Sequence, residues 1–131
     1  MANNIKQYYD IKYPFTDNNP SGLFIDMNEK LEDKVASEIL HTILTRKGTR
    51  IRMPNFGTDL TKYIFDMNDD VSWENVESEV KTAVNNYVPN ASINSIKVVR
   101  ATDDDNGVYL DLNYSVTKGV TTENNRLVVK L

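Results

Sequence analysis

No cysteine occurs among the 131 residues, which excludes disulfides, thiolate zinc sites and a cysteine nucleophile. Histidine occurs once, as His41. A single imidazole without thiols supplies neither a metal cluster nor a convincing catalytic triad, so no metal site, catalytic residue or cofactor is expected. Tryptophan also occurs once, as Trp73, without the clustered Trp and Asn residues that often hold a sugar. Long apolar runs are missing, since none approaches the roughly 18–20 residues of a membrane span. The N-terminal stretch MANNIKQYYDIKYPF lacks the charged and apolar regions of a secretory signal. The chain is therefore expected to stay in the cytoplasm where it is made, or to be assembled there into something larger. Positive charge is in deficit: 15 Lys and Arg face 19 Asp and Glu, for a net charge of −4. That balance argues against general nucleic-acid binding, whose domains usually run basic.

What is present is an ordinary globular composition, 40 % hydrophobic. A chain of this size makes about one domain and buries roughly two thirds of its unfolded surface. Residues 1–28 read as an extended arm, in which QYYDIKYPFTDNNPSG mixes Tyr8, Tyr9, Tyr13 and Phe15 with turn formers and Pro14 and Pro20. Such aromatics need a surface, either their own domain or a partner. Residues 29–131 read as a single domain without internal repeats.

Residues 29–47 have the spacing of a buried helical face, with Val35, Ile39 and Ile43 on one stripe and Ala36, Leu40 and Leu44 beside it. Lys47 falls in the expected last turn and Gly48 in the C′ position. A short helix is expected from Asp59 to Asp66, with Leu60, Ile64 and Phe65 inward. Ser72 is placed to cap a third helix whose apolar face is Val76, Val80, Ala83, Val84 and Tyr87, and which Pro89 stops. From about Asn90 the period falls to two. Val108, Leu110, Leu112, Tyr114 and Val116 alternate with polar neighbours, INSIKVVRA forms a partner strand through the turn TDDDNG, and RLVVKL forms a third. Helices first and strands last define an α+β domain, its helices on one face of a small antiparallel sheet in the C-terminal third.

The stretch TRKGTRIRMPNFGTDL sets Arg46, Lys47, Arg50 and Arg52 around Gly48. It does not supply the spacing of a phosphate-binding Walker loop, and it follows a helix where that loop follows a strand. Arginine is favoured in ion pairs at protein interfaces, so the corner reads as structural or docking. The acidic turn DDDNG offers a calcium loop only if Thr102 and Leu112 occupied positions that need acids, so it reads as a solvated hairpin turn. Paired carboxylates for glycoside hydrolysis could come from Glu38 with Asp66 or Asp59. Most of the acids, however, fall on solvated helix faces or caps.

The linear order of ILTRKGTR, PNFGTDL, KYIF, VNNYVP and then strands resembles the small baseplate-wedge, tail-sheath initiator family of contractile phage tails. Type VI secretion baseplates contain relatives, and some members carry the label acidic tail lysozyme. The resemblance covers about residues 35–131. It implies that Gly48, Arg50, Pro54, Phe56, Gly57 and Leu60 form a fixed structural corner. It also implies a structural, non-enzymatic role in the virion baseplate, with tail sheath protein, other wedge proteins and central tube or hub proteins as partners. Neither nucleic acid nor membrane is among them. Family members commonly have Glu-Pro-Arg after the third helix, where this chain has Val88, Pro89 and Asn90. Wedge docking is therefore expected through Val88, Pro89 and Asn90, with charge supplied by Arg46 or Arg50. Sheath initiation is expected at Arg126, Leu127, Val128, Val129, Lys130 and Leu131. A strand at a sheet edge offers unpaired backbone groups as a template for another chain's strand.

Overall fold

A strand that puts Leu110, Leu112, Tyr114 and Val116 on one side is stable only if that side is covered, and the fold is arranged around this requirement. The computed structural model describes residues 9–13, 27–65, 70–100 and 108–130. In chain order the elements are β1 (Asp10–Ile11), β2 (Met27–Asn28), α1 (Leu31–Leu44), α2 (Leu60–Phe65), α3 (Asp70–Tyr87), β3 (Ala91–Arg100), β4 (Val108–Lys118) and β5 (Thr121–Lys130). The long strands form one antiparallel sheet in the order β3-β4-β5, and β1 pairs with β2 in a small separate ladder. The fold is α+β, as the sequence predicts.

The four apolar residues of β4 are buried on one face, where they join Val35, Ile39 and Ile43 of α1 and Val76, Val80 and Val84 of α3. The opposite face carries a polar ladder: Asn113 Nδ2 donates to Ser95 Oγ at 3.0 Å, and Arg126 grips Asp111 with two bonds of 2.8 and 2.9 Å. An antiparallel sheet needs cover on only one side, which explains this division.

Several local expectations change. α1 ends at Leu44, three residues before the expected end, because after the last helical bond, from the Thr45 N–H to the His41 carbonyl, Thr45 turns to extended backbone (ψ 127°) and Arg46 bridges to Thr58. Gly48 is thus not the helix's C′ residue. Leu44 is 44 % exposed and not beside the core; Thr42 is buried instead, its hydroxyl donating to the Glu38 carbonyl. α3 begins at Asp70, so Ser72 lies inside its first turn and not at the cap. The third strand starts at Thr121, five residues before Arg126, because Gly119 and Val120 make a two-residue turn that returns the chain directly along β4. Positive φ at Gly119 alone (+63°) is the mark of a type II′ hairpin turn. The turn at 102–107, Tyr8, Phe15, Pro14, Pro20, Asp66 and Leu131 lie outside the described residues, as do the side chains of Ile64 and Phe65.

Two pieces of the N-terminal segment rest on α1. Asn28 is buried, and its Nδ2 donates to Ser37 Oγ at 3.2 Å. The Tyr13 N–H donates to the same oxygen at 3.3 Å, and its ring lies 5.1 Å from that of His41.

Candidate functional site

Two surfaces follow from this arrangement: the corner after α1 and the outer edge of β5. At the corner the chain leaves α1 through Thr45 in extended backbone, runs through the loop, and returns to be tied to its own start. The Thr58 N–H donates to the Thr45 carbonyl at 2.9 Å, the Lys47 N–H to the Thr58 carbonyl at 3.3 Å, and the Thr58 hydroxyl to the Ile43 carbonyl at 2.7 Å. So close a return leaves no room beside Gly57, where φ is +103° and a Cβ would collide with the Thr45 carbonyl oxygen. Gly48 also has positive φ (+83°), and its N–H donates to the Pro54 carbonyl at 2.8 Å.

Phe56 and Leu60 are buried. Phe56 meets Tyr87 edge-on at 5.0 Å and takes the Arg50 guanidinium over its face at 4.0 Å. Arg50 Nη2 donates to His41 Nε2 at 3.1 Å. Burial and then the Arg50 charge hold the His41 imidazole below its ordinary value, while Asp10 pulls the other way. Arg50 is therefore committed to its own domain. Lys47 is partnered too, 3.3 Å from Glu79, which also accepts the Asp59 N–H at 2.6 Å. Arg46 and Arg52 stay exposed on the surface.

Beyond α3 the structure corrects one docking residue. Val88 is 1 % exposed and belongs to the core, because the turn that follows, with Asn90 at φ +44°, aims its side chain inward. Pro89 and Asn90 are exposed. The Asn90 carbonyl accepts the Thr117 N–H at 2.9 Å, which ties the base of the β4–β5 hairpin to the exit of α3. The corner, the Pro89–Asn90 turn and the Gly119–Val120 turn therefore share one end of the domain.

Among the described residues β5 is the outermost strand beyond β4, and its register runs from Thr121 to Lys130 without a break. In a two-residue hairpin the flanking pair, Lys118 and Thr121, exchanges both hydrogen bonds, and bonded pairs then alternate. Thr121, Glu123, Asn125, Leu127 and Val129 thus face β4 with their backbone groups. Thr122, Asn124, Arg126, Val128 and Lys130 turn theirs outward. The Thr117–Asn90 bond agrees with this phase, since it directs the Thr117 N–H to β3. Val128 is half exposed and Val129 buried. The other edge, β3, is interrupted by a register shift between Ile93 and Ser95, the kind of irregularity that blunts an edge.

The candidate acids do not converge. Asp59 is engaged with Glu79 and Lys62, whereas Glu38 sits by Lys34 in a cavity of about 370 Å³ lined also by Asp10, Tyr13, His41 and Arg50. Burial raises the Glu38 carboxyl above its ordinary range, and the nearby lysine opposes that shift. Among the described residues no group of three or more His, Cys, Asp or Glu could hold a metal ion. Among the described residues no helix is long and apolar enough to cross a membrane.

A welded corner, a sheet edge left open among the described residues and a set of exposed turns at one end define a small α+β domain whose chemistry is that of contact surfaces. Residues 29–119 match the family described as baseplate wedge protein gp25, and the chain belongs to that family. Baseplate wedge protein gp25 of enterobacteria phage T4 is 33 % identical over 70 residues, which are 53 % of this chain and 53 % of that protein. The chain thus matches about half the length of this relative. A crystal structure of a Geobacter sulfurreducens protein described as a tail lysozyme superposes with a TM-score of 0.65 at 22 % identity, covering 78 % of this chain and 92 % of that one. The cryo-EM structure of the anti-feeding prophage baseplate contains a chain with a TM-score of 0.61 at 12 % identity, covering 90 % and 81 %. At these identities the two structures share the fold alone.

Proposed function

We propose that the chain joins the baseplate wedge to the first ring of tail sheath and starts sheath polymerisation by pairing β5 with a sheath strand. The observation that carries this reading is the unbroken ten-residue edge of β5, whose outward backbone groups fall at Thr122, Asn124, Arg126, Val128 and Lys130. Within the expected sheath-binding segment, Arg126, Val128 and Lys130 would contact the incoming backbone, while Leu127 and Val129 hold the template to β4. Lys130 and Glu123 on this edge discourage indiscriminate pairing.

Residues 29–131 act in this reading as one domain and residues 1–28 as an extended arm, of which the described pieces, at Tyr13 and Asn28, bond to α1. The wedge contact falls at the shared end of the corner and the α3 exit, with Pro89, Asn90 and Arg46 exposed for it. The partners are the sheath protein and other wedge proteins, with central tube or hub proteins beside them. Assembly takes place in the host cytoplasm and the product resides in the virion tail. The role is structural and not enzymatic, so purified protein should leave a peptidoglycan suspension turbid.

The test compares wild type, Val128→Pro and Leu127→Pro as seeds for polymerisation of the cognate sheath protein. Proline at 128 removes an outward N–H and should abolish seeding without unfolding the domain. Unchanged seeding by a folded Val128→Pro protein overturns the strand template.

A further inference from the structure

The end of the domain that carries the corner is also where exposed apolar side chains gather. Eight large hydrophobic residues are exposed among those described, and four of them, Leu44, Ile51, Met53 and Val120, stand on the elements that meet there. Ile51 and Val120 are fully exposed, at 99 % and 103 % of their reference areas, Ile51 in a bend of the loop and Val120 in the hairpin turn, where a polar residue would cost nothing. Single exposed aliphatics are normal, but a group of them at one end of a small domain marks an interaction site.

The tip that presents Ile51 is held in shape from inside. The Gly48 N–H reaches the Pro54 carbonyl, the Thr49 hydroxyl donates to the Arg46 carbonyl at 2.7 Å, and the Phe56 N–H donates to the Met53 carbonyl at 3.0 Å. Arg50 fastens the middle of the loop to Phe56. A loop braced in this way loses little conformational entropy on docking. Its charge is equally specific. With Lys47 on Glu79 and Arg50 on Phe56 and His41, the corner cations that engage neither a carboxylate nor a ring among the described residues are Arg46, at the start of the loop, and Arg52, next to Ile51 in the chain. Their positive charge stands out on a chain whose net charge is −4.

We infer that Ile51 is the anchor of the docking end, entering an apolar recess rimmed by aspartate or glutamate side chains on another baseplate protein, with Arg46 and Arg52 pairing to the rim. Met53 and Val120 complete the apolar contact. A phosphate backbone or an anionic lipid surface would meet the two arginines but would leave the rest of this acidic domain repelled. The inference rests on the wedge-docking reading above and names its chemistry.

The experiment places the photo-crosslinking residue p-benzoyl-phenylalanine at position 51, and in a separate protein at position 99 on the open sheet face, in tail particles that carry the chain. Crosslinks from 51, absent from 99, should map to one other baseplate protein at a peptide where aspartate or glutamate flanks apolar residues. Ile51→Asp, and separately Arg46→Glu with Arg52→Glu, should each lower incorporation into tails about tenfold or more, as for a hot-spot anchor, with thermal unfolding unchanged. Crosslinks to nucleic acid, to lipid or to a second copy of this chain overturn the inference, as does full incorporation of the folded variants. If wild-type chain is itself absent from tail particles, the wedge reading fails. If wild type is present and position 51 is silent, only this inference fails.

Discussion

Gly57 passes so close to the end of α1 that a Cβ on it would strike the carbonyl oxygen of Thr45, the same oxygen that accepts the Thr58 N–H. Left-handed backbone and lack of space act together at this position. Gly57→Ala should therefore cost about 2–4 kcal/mol, strain and overpacking combined. Gly48→Ala shares the positive φ but meets nothing within 4 Å, so it should cost about 1–2 kcal/mol. Urea denaturation of both variants measures the difference, and equal costs would contradict the close return.

The His41 imidazole should make stability depend on pH. Its folded value lies below the ordinary 6.5, so in the window between the two the unfolded chain holds more protons than the folded one. The contribution is complete above about pH 6.5 and is lost as pH falls through that window to the folded value. His41→Gln retains an acceptor for Arg50 and should flatten this segment of the stability–pH curve, as equilibrium unfolding at pH 7.5 and 5.5 would register. A variant with the same slope as wild type would assign the dependence to other groups.

Proline scanning of β5 separates its two sets of backbone groups. Leu127→Pro removes a bond to β4 and leaves its acceptor without a partner, at a cost of about 1–3 kcal/mol. Val128→Pro removes an N–H that faces outward, where edge strands tolerate proline. The first variant should melt well below wild type and the second close to it. A reversed order would shift the hydrogen-bond phase by one residue.

At the exit of α3, two neighbours should behave oppositely. Val88→Ala opens space in the core and should cost about 2 kcal/mol. Asn90→Gly keeps a residue that favours positive φ and should change stability by less than about 1 kcal/mol. Chemical denaturation of the pair tests whether Val88 is packing or surface.

The parts of the fold that were legible in the sequence are those where local pattern and final environment coincide. β4 alternates because one of its faces is buried from Leu110 to Val116, and Val35, Ile39 and Ile43 repeat because α1 buries one stripe. The beginning of β5 is not legible, since Thr121, Thr122, Glu123 and Asn124 lie at an edge and are exposed on both faces, leaving only Gly119 as a turn signal. The end of α1 is not legible either, because the residue that holds the chain after it is Thr58, fourteen residues downstream of Leu44, and not the glycine nearby. In the corner, Phe56, Gly57 and Leu60 could be read from residue type. Val88 could not, because the backbone turn at Asn90 decides which way it points. Ile51 and Val120 gave no signal either, as an aliphatic side chain in a turn does not reveal whether tertiary structure will cover it.

The double attachment of the corner has a mechanical consequence. The loop's returning strand is bonded to α1 through Thr58 and to α3 through Asp59 and Glu79, while Phe56 is wedged against Tyr87. A pull on the tip at Ile51 is therefore divided between two helices and the sheet they cover, with no single hinge to open first. Under load such a corner passes force through the domain as a rigid bracket does.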